Sequence, residues 1–329
     1  MSKFPDYTKL SGMKLEELGR HRIDAEEGKR SQNDFVLWKA AKEGEPSWRI
    51  KVDYEGGESL IDGRPGWHIE DTAMTYAIFG AQYDIHGGAS ELLFPHHTNE
   101  VAQAEAAFGA KPFVKYWLHS GVLNIKGEKM SKSLKNFITI REVLKKHDAE
   151  ALRLMVASSQ YRKEMAFDER LLAEAEKKLN YIYSSLSVVY NLMGKNTGHN
   201  VGLGKLLGSL DEDFSSAMND DFNTPLALAS FYSAVGELRK LAETEAGLSR
   251  EDGKTAIGRI TGLGNILGIL KKDRYKDKLD GRAYEMIKER ELLRKEKKFD
   301  DADKIRILLK SEYGLTVEDS EYGTVWYKS

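Results

Sequence analysis

The chain of 329 residues contains no cysteine, which removes disulfide frameworks, thiolate zinc fingers, iron–sulfur ligation and every mechanism with a cysteine nucleophile. Any metal site must be built from histidine and carboxylate. Proline is scarce: there are six, five of them at or before position 112, so the later residues are nearly free of helix breakers. Charge of one sign is missing too. The 50 Lys and Arg and the 52 Asp and Glu leave a net charge of −2, although charged residues make up 31%. A polyanion must therefore be met by a local basic patch, not by the whole surface. No run reaches the roughly 18 apolar residues of a membrane span, and the opening MSKFPDYTKLSGMKLEE lacks the apolar centre of a signal peptide. A soluble, cytoplasmic protein with no membrane partner is expected. What is present is 41% hydrophobic and 10% aromatic content, enough for packed cores, in a length that suits about two domains.

The proline asymmetry divides the chain into two styles. Residues 1–48 read as a polar lead-in with short helical patches at 14–18 and 34–41, followed by turns marked by GEPSW, GGES and DGRPGW. No long element is expected there. Between Trp67 and Asn136 short apolar runs alternate with helical patterns: a TAMTYAIFGA helix, a YDIHGGA strand, an HHTNEVAQAEAAFGA helix and a KYWLHSGVLNI strand. That alternation predicts βαβ units and a parallel sheet. After Phe137 amphipathic helices dominate, with Leu171, Leu172, Ala175, Leu179, Ile182 and Leu186 recurring at three and four, and with Asn223 or Thr224 capping a helix that starts near Pro225. Glycines between 247 and 268 predict a loop and a weaker helix. The last residues read as a charged helix and a two-stranded hairpin, a small module apart from the rest.

Three segments can carry chemistry. In GEKMSKSLKN, residues 127–136, Lys129 and Lys132 lie three apart among small hydroxyl residues, as in a mobile loop that neutralises phosphate oxygens; on charge alone a solvated basic loop is the plainer alternative. In DIHGGASELLFPHHTNE, residues 84–100, Gly87 and Gly88 at a strand end permit close backbone approach to a nucleotide, and Glu91 can take ribose hydroxyls. His96 and Glu100 are four apart at a helix start, so they can share a metal, or they are a helix-start histidine and a surface glutamate. His97 is expected to point elsewhere and to pack or cap. In GRPGWHIEDTAM, residues 63–74, Trp67, His68 and Asp71 cluster at a strand-to-helix turn, where Asp71 serves as an N-cap, as a functional group, or as both.

The order GRPGWHIED, YDIHGGASELLFPHHTNE, KYWLHSGVLNIKGEKMSKSL, EALRLMVASSQYRKEMAFDE and DFNTPLALASFY resembles cysteinyl-tRNA synthetase, with an intact class I KMSKS signature, and the likeness covers nearly the whole chain. The resemblance implies an α/β part followed by an all-α part. Residues 1–48 would be a remnant of a connective insertion, 49–140 the second half of a Rossmann-like catalytic domain, and 141–170 a stem-contact region. Residues 171–280 would be a helical anticodon-binding bundle and 281–329 a C-terminal tRNA-binding module. It implies activation of L-cysteine with ATP and Mg2+, transfer to tRNA(Cys), and a zinc ion that selects the thiolate over a hydroxyl. By position, Lys129, Ser131, Lys132 and Ser133 would act in catalysis and on the phosphates. His86, Gly87, Gly88 and Glu91 would lie on the adenosine side, and Trp67 would line the cysteine pocket. Asp71, His96 and Glu100 would bind the metal, with Asp71 standing where many members have cysteine. Glu91 replaces a usual aspartate and Ala89 a usual glycine.

The family's HIGH signature does not occur. The resemblance therefore suggests that the first third of the family's chain is missing, leaving half a sheet with an uncovered apolar face. Three functions follow as alternatives: a carboxy-terminal part of a cysteine–tRNA ligase that works with a HIGH-containing partner, a truncated paralogue that binds tRNA without ligation, and a non-catalytic scaffold. With three N/O ligands and no thiolate, less than one tightly held zinc per chain is expected.

Overall fold

The structure, a computed structural model, describes residues 4–13, 34–54, 57–125, 128–129, 138–194, 200–244, 247–276, 279–320 and 323–328. The chain divides into two compact units, Met1–Val122 and Leu123–Ser329.

In the first unit, β1 (Trp38–Ala40), β2 (Trp48–Tyr54) and β3 (Gly57–Pro65) form an antiparallel sheet in the order β1-β3-β2. This corrects two expectations. The helical patch at 34–41 contains a strand, because Trp38 and Ala40 find partners in Pro65 and Gly63, and tertiary pairing overrides weak local preference. DGRP, read as a turn, lies inside β3, and the β2–β3 ladder runs from Trp48↔Gly63 to Tyr54↔Gly57. Arg49 and Asp62 face each other across it in a bidentate pair at 2.7 Å. The patch at 14–18 lies outside the described residues.

Gly66 then opens α1 (Trp67–Phe79). A Cβ on Gly66 would sit 2.3 Å from the Val36 carbonyl oxygen, so only glycine fits this approach of the chain to itself. Next come β4 (Tyr83–Ala89), a single 3-10 turn at Ser90–Leu92, a wide turn at Leu93–His97 broken by extended Phe94, α2 (Thr98–Phe108) and β5 (Val114–Ser120). β4 and β5 pair in parallel, with Tyr83↔Val114, His86↔Trp117 and Gly88↔His119 in register, so the predicted βαβ unit is present. Its core is Tyr83, Ala104, Phe113 and Val114. The opposite faces remain open to water: Ile85 is 59% exposed, Tyr116 67%, and Ile78 on α1 74%.

In the second unit β6 (Leu123–Ile125) pairs antiparallel with β7 (Glu128–Lys129) and parallel with β8 (Met165–Phe167). The short α3 (Ile140–Val143) starts with a Thr139/Glu142 capping box, and α4 (Ala149–Ala157) is capped by Asp148. α5 (Glu169–Leu192) has Asp168 as its cap and buries Leu172, Ala175, Leu179, Ile182 and Leu186, the periodic set of the sequence. α6 (Val201–Asn219), α7 (Thr224–Ala242) and α8 (Arg250–Ile266) complete a bundle around one core. Asn223 caps α7 by accepting from the Leu226 N–H at 3.2 Å, with Pro225 in the first turn. Two of the α8 glycines serve its packing: a Cβ on Gly253 would lie 2.6 Å from Met193 Cβ, and one on Gly264 2.8 Å from Leu270 Cδ1.

α9 (Gly281–Lys295), α10 (Phe299–Tyr313) and the hairpin β9 (Leu315–Ser320) and β10 (Gly323–Lys328) have a small core of their own around Ile287, Leu309 and Leu315. They are not apart from the bundle, since Val325 packs on Val188 and Leu192 of α5 and Arg239 pairs with Glu318 at 3.3 Å. Within the bundle Tyr183 and Phe231 are fully buried core residues. No helix of the described residues is long and apolar enough to cross a membrane.

Candidate functional site

α1 starts at Trp67, so Trp67 and Asp71, four residues apart, share one face. That face meets His96. The Trp67 indole stacks on the His96 ring with centroids 3.8 Å apart and planes 13° from parallel. His96 Nε2 lies 2.8 Å from Asp71 Oδ2 and 2.8 Å from Glu100 Oε1. Asp71 is the fifth residue of the helix, and the extended N-cap is Gly66, which corrects the capping expectation. Glu100 is 0% exposed, so the surface-glutamate alternative is also excluded.

One imidazole N–H cannot serve two carboxylates. Accordingly neither Glu100 oxygen receives a well-formed hydrogen bond among the described residues, and a buried carboxylate in that state calls for a cation. Burial disfavours the His96 imidazolium, but the closeness and negative charge of the Glu100 and Asp71 carboxylates outweigh it and raise its pKa. The donor atoms of Asp71, His96 and Glu100 lie within 4.8 Å of one another. Nitrogen and carboxylate oxygen are both zinc donors, so these three residues fit the metal that the sequence implies.

Around this trio stands a histidine array that the sequence reading assembled only in part. His68 Nδ1 is 2.7 Å from His96 Nδ1, and Asn99 Nδ2 approaches His68 Nε2 at 3.1 Å. Tyr7 donates to Asn99 Oδ1, and Gln103 donates to the His68 carbonyl. On the other side of Glu100, His86 stacks on Trp117 at 4.7 Å, and His97 Nδ1 is 2.8 Å from His119 Nε2. His97 therefore does not point away: it is 1% exposed and belongs to the same cluster. Burial, then the charges of nearby histidines, push its pKa down to about 3, and burial lowers that of His86 despite Glu100. Burial and the charge of Glu100 push Tyr83 up to about 12, and its hydroxyl oxygen shares a hydrogen bond with His86 Nδ1. The missed member is His119, His97 was expected elsewhere, and His68 was placed with Trp67 and Asp71 but not with His96. The available signal was density, since five of the eight histidines fall between 68 and 119.

Of the residues expected beside adenosine, His86 and Gly88 are engaged in this array. A Cβ on Gly88 would sit 2.6 Å from His97 Cε1, so its bare face accommodates an imidazole. A Cβ on Gly87 would meet only the Leu118 carbonyl oxygen, at 3.8 Å, and Glu91 lies exposed in the Ser90–Leu92 turn. The Lys129 backbone pairs with Asn124 in the β6–β7 ladder. Ser131, Lys132 and Ser133 lie outside the described residues.

Residues 1–177 match the profile of the tRNA synthetases class I (C) catalytic domain, and residues 213–271 match a DALR domain. A cysteine–tRNA ligase of Acinetobacter baumannii is 40% identical over 343 residues, covering all of this chain and 69% of its own length. One from Thermodesulfovibrio yellowstonii is 39% identical over 345 residues, with 99% of this chain and 69% of the relative covered. Among solved structures, Mycobacterium tuberculosis methionyl-tRNA synthetase in complex with methionyl-adenylate is 18% identical, with a TM-score of 0.41 over 56% of this chain and 40% of that one. The two domain matches and the identity along the full sequence agree in order and extent, and the chain belongs to the cysteine–tRNA ligase family of class I tRNA synthetases.

Proposed function

We propose that this chain takes part in ATP-dependent activation of L-cysteine and its transfer to tRNA(Cys). The observation that carries the reading is the Asp71–His96–Glu100 constellation under the Trp67 ring, in which a fully buried carboxylate lacks a donor. Asp71, His96 and Glu100 would hold zinc, whose chemistry is to bind the substrate thiolate and so favour cysteine over serine. Trp67, about half exposed, forms a flat wall beside that position.

In the activation step the cysteine carboxylate attacks the α-phosphorus of ATP, a P–O bond forms, and the bond to pyrophosphate breaks. Lys129 and Lys132 are the residues that would neutralise the charge growing on that leaving group, and Ser131 and Ser133 can donate to its oxygens. Mg2+ would travel with ATP. Gly87 and Glu91 would lie beside the adenosine, while His86 and Gly88 are taken up by the histidine array. The tRNA hydroxyl then attacks the aminoacyl carbonyl and AMP leaves. The helical unit and the tail, with ten Lys and Arg against seven Asp and Glu over residues 282–310, are the part suited to the tRNA backbone.

A HIGH segment is absent from these 329 residues, so activation needs one, supplied by the same polypeptide or by another. The test is cysteine-dependent ATP–pyrophosphate exchange by the purified chain with and without a HIGH-containing segment. Exchange should depend on that segment. Continued failure with it present, alongside salt-dependent and selective binding of tRNA(Cys), would overturn the ligase reading in favour of a tRNA-binding paralogue.

A further inference from the structure

The turn between α6 and α7 is strained. Asp221 and Phe222 are consecutive and both left-handed, each at φ 52°, a conformation that is unfavourable for any residue with a Cβ. Two glycines would fit this backbone, but they would lose what the side chains reach. The Asp221 carboxylate accepts from the Arg162 guanidinium through both oxygens, from the Tyr161 hydroxyl at 2.8 Å and from the Gln160 amide at 3.4 Å. Phe222 meets the Tyr161 ring edge-on, with centroids 6.4 Å apart. Hydrogen bonds from Arg162, then Tyr161, hold the Asp221 carboxyl down at about 2, so it is ionised at neutral pH.

Residues 160–162 lead into β8, and β8 lies beside β6, with Leu123↔Met165, Asn124↔Ala166 and Ile125↔Phe167 in register. Asn124 is tied on two sides. Its side chain donates to Glu164 Oε2 at 3.0 Å, two residues after Arg162, and its backbone is paired with Lys129 of β7. A continuous path thus runs from Asp221 through Arg162, Glu164 and Asn124 to Lys129.

We propose that the strained turn is a positioning element, in which Asp221 fixes β8 against the bundle and thereby sets where β6 and β7 present Lys129. Asp221 acts through the strand, not on the substrate. A lone exposed ion pair holds little, but this one is bidentate and joined by two further donors, the arrangement in which an exposed carboxylate can restrain a segment. The catalytic consequence rests on the reading of Lys129 as a group that meets pyrophosphate charge. The mechanical link does not.

Hydrogen exchange read by mass spectrometry tests the link in the purified chain. Asp221→Asn is the chosen variant, because asparagine tolerates the left-handed backbone while losing the charge, and Arg162→Gln removes the pair from the other side. Both should speed exchange of the Leu123–Ile125 and Glu128–Lys129 amides on the order of fivefold. Asp211→Asn, which breaks a comparable ion pair with Arg259 elsewhere in the bundle, should leave them unchanged. Faster exchange confined to residues 160–165 and 220–224 is the pattern of a merely local tie and would overturn the proposal. In cysteine-dependent ATP–pyrophosphate exchange with a HIGH-containing segment, Asp221→Asn should lower kcat while the KM for cysteine stays the same; an unaltered kcat would overturn the positioning role. Absence of pyrophosphate exchange in the unaltered chain would count against the ligase reading, and the amide result would still decide the link.

Discussion

Gly88 and His97 compete for one space: a Cβ on residue 88 would lie 2.6 Å from His97 Cε1 and 3.1 Å from its Nε2. The ring cannot swing aside as a long surface side chain would, because it is buried and its Nδ1 is held on His119 at 2.8 Å. Gly87, next to it, has only the Leu118 carbonyl oxygen near its Cβ position, at 3.8 Å.

Gly88→Ala should therefore cost about 1–3 kcal/mol by overpacking, and Gly87→Ala less than about 1 kcal/mol. Urea unfolding followed by circular dichroism compares them. Equal losses would show that the ring yields and that Gly88 is not tied to His97.

These two glycines also show what the sequence could and could not reveal. Read along the chain, Gly87 and Gly88 are equivalent, and their difference comes from a ring nine residues away that the Leu93–His97 turn folds back. α5 was legible because Leu172, Ala175, Leu179, Ile182 and Leu186 are buried at spacings of three and four and Asp168 caps it. The β2–β3 hairpin was not, because Leu60 and Ile61 are both exposed and no in–out alternation marks the strand. For the site, the i, i+4 pair His96 and Glu100 was visible from spacing, whereas His68, His86 and His119 join it only through α1 packing and the parallel register of β4 and β5.

In the helical unit the buried carboxylate of Glu150 accepts from the Tyr183 hydroxyl at 2.8 Å and from the Leu270 and Lys271 amides at 3.1 and 3.0 Å. Glu150→Ala leaves three donors without an acceptor and should cost on the order of 3 kcal/mol, while Tyr183→Phe removes one donor and should cost about 1 kcal/mol. Chemical denaturation gives the order. A Tyr183→Phe loss as large as that of Glu150→Ala would mean that the two amides find other acceptors.

Arg290, 1% exposed, grips Asp319 with two bonds of 2.6 and 2.7 Å, and that hydrogen-bonded guanidinium lowers the Asp319 pKa below its usual 3.8. A lowered carboxylate pKa stabilises the fold fully above the unfolded value, and the contribution disappears as pH falls through the folded one. The tail hairpin should thus loosen below about pH 4, read from Trp326 fluorescence in a chain whose other four tryptophans are replaced by Phe. Asp319→Asn should cost about 2 kcal/mol at neutral pH, less than a fully buried pair because Asp319 is a third exposed, and should flatten the acid dependence. An unchanged acid profile in that variant would assign the transition to another carboxylate.

Lys132 can be separated from tRNA binding. If it meets pyrophosphate charge that grows during the reaction, Lys132→Ala should lower cysteine-dependent exchange on the order of 10²-fold, in the presence of a HIGH-containing segment, and leave tRNA(Cys) affinity unchanged. Parallel losses in both assays would indicate a general electrostatic contribution from a basic loop.

Asp71 offers the sharpest test of where a metal sits, because the chain has no thiol anywhere. Its Oδ2 is 2.8 Å from His96 Nε2, on the helix face that carries Trp67. Asp71→Cys places one sulfur at that point, and a thiolate is the softer ligand for zinc and cobalt. The variant should bind zinc about 10–100-fold more tightly, and its cobalt form should gain a sulfur-to-metal charge-transfer band in the near ultraviolet that the unaltered chain cannot show. With no other cysteine present, that band can arise only from residue 71. Tighter binding without it would place the ion away from α1, and neither change would mean that Asp71 serves His96 alone.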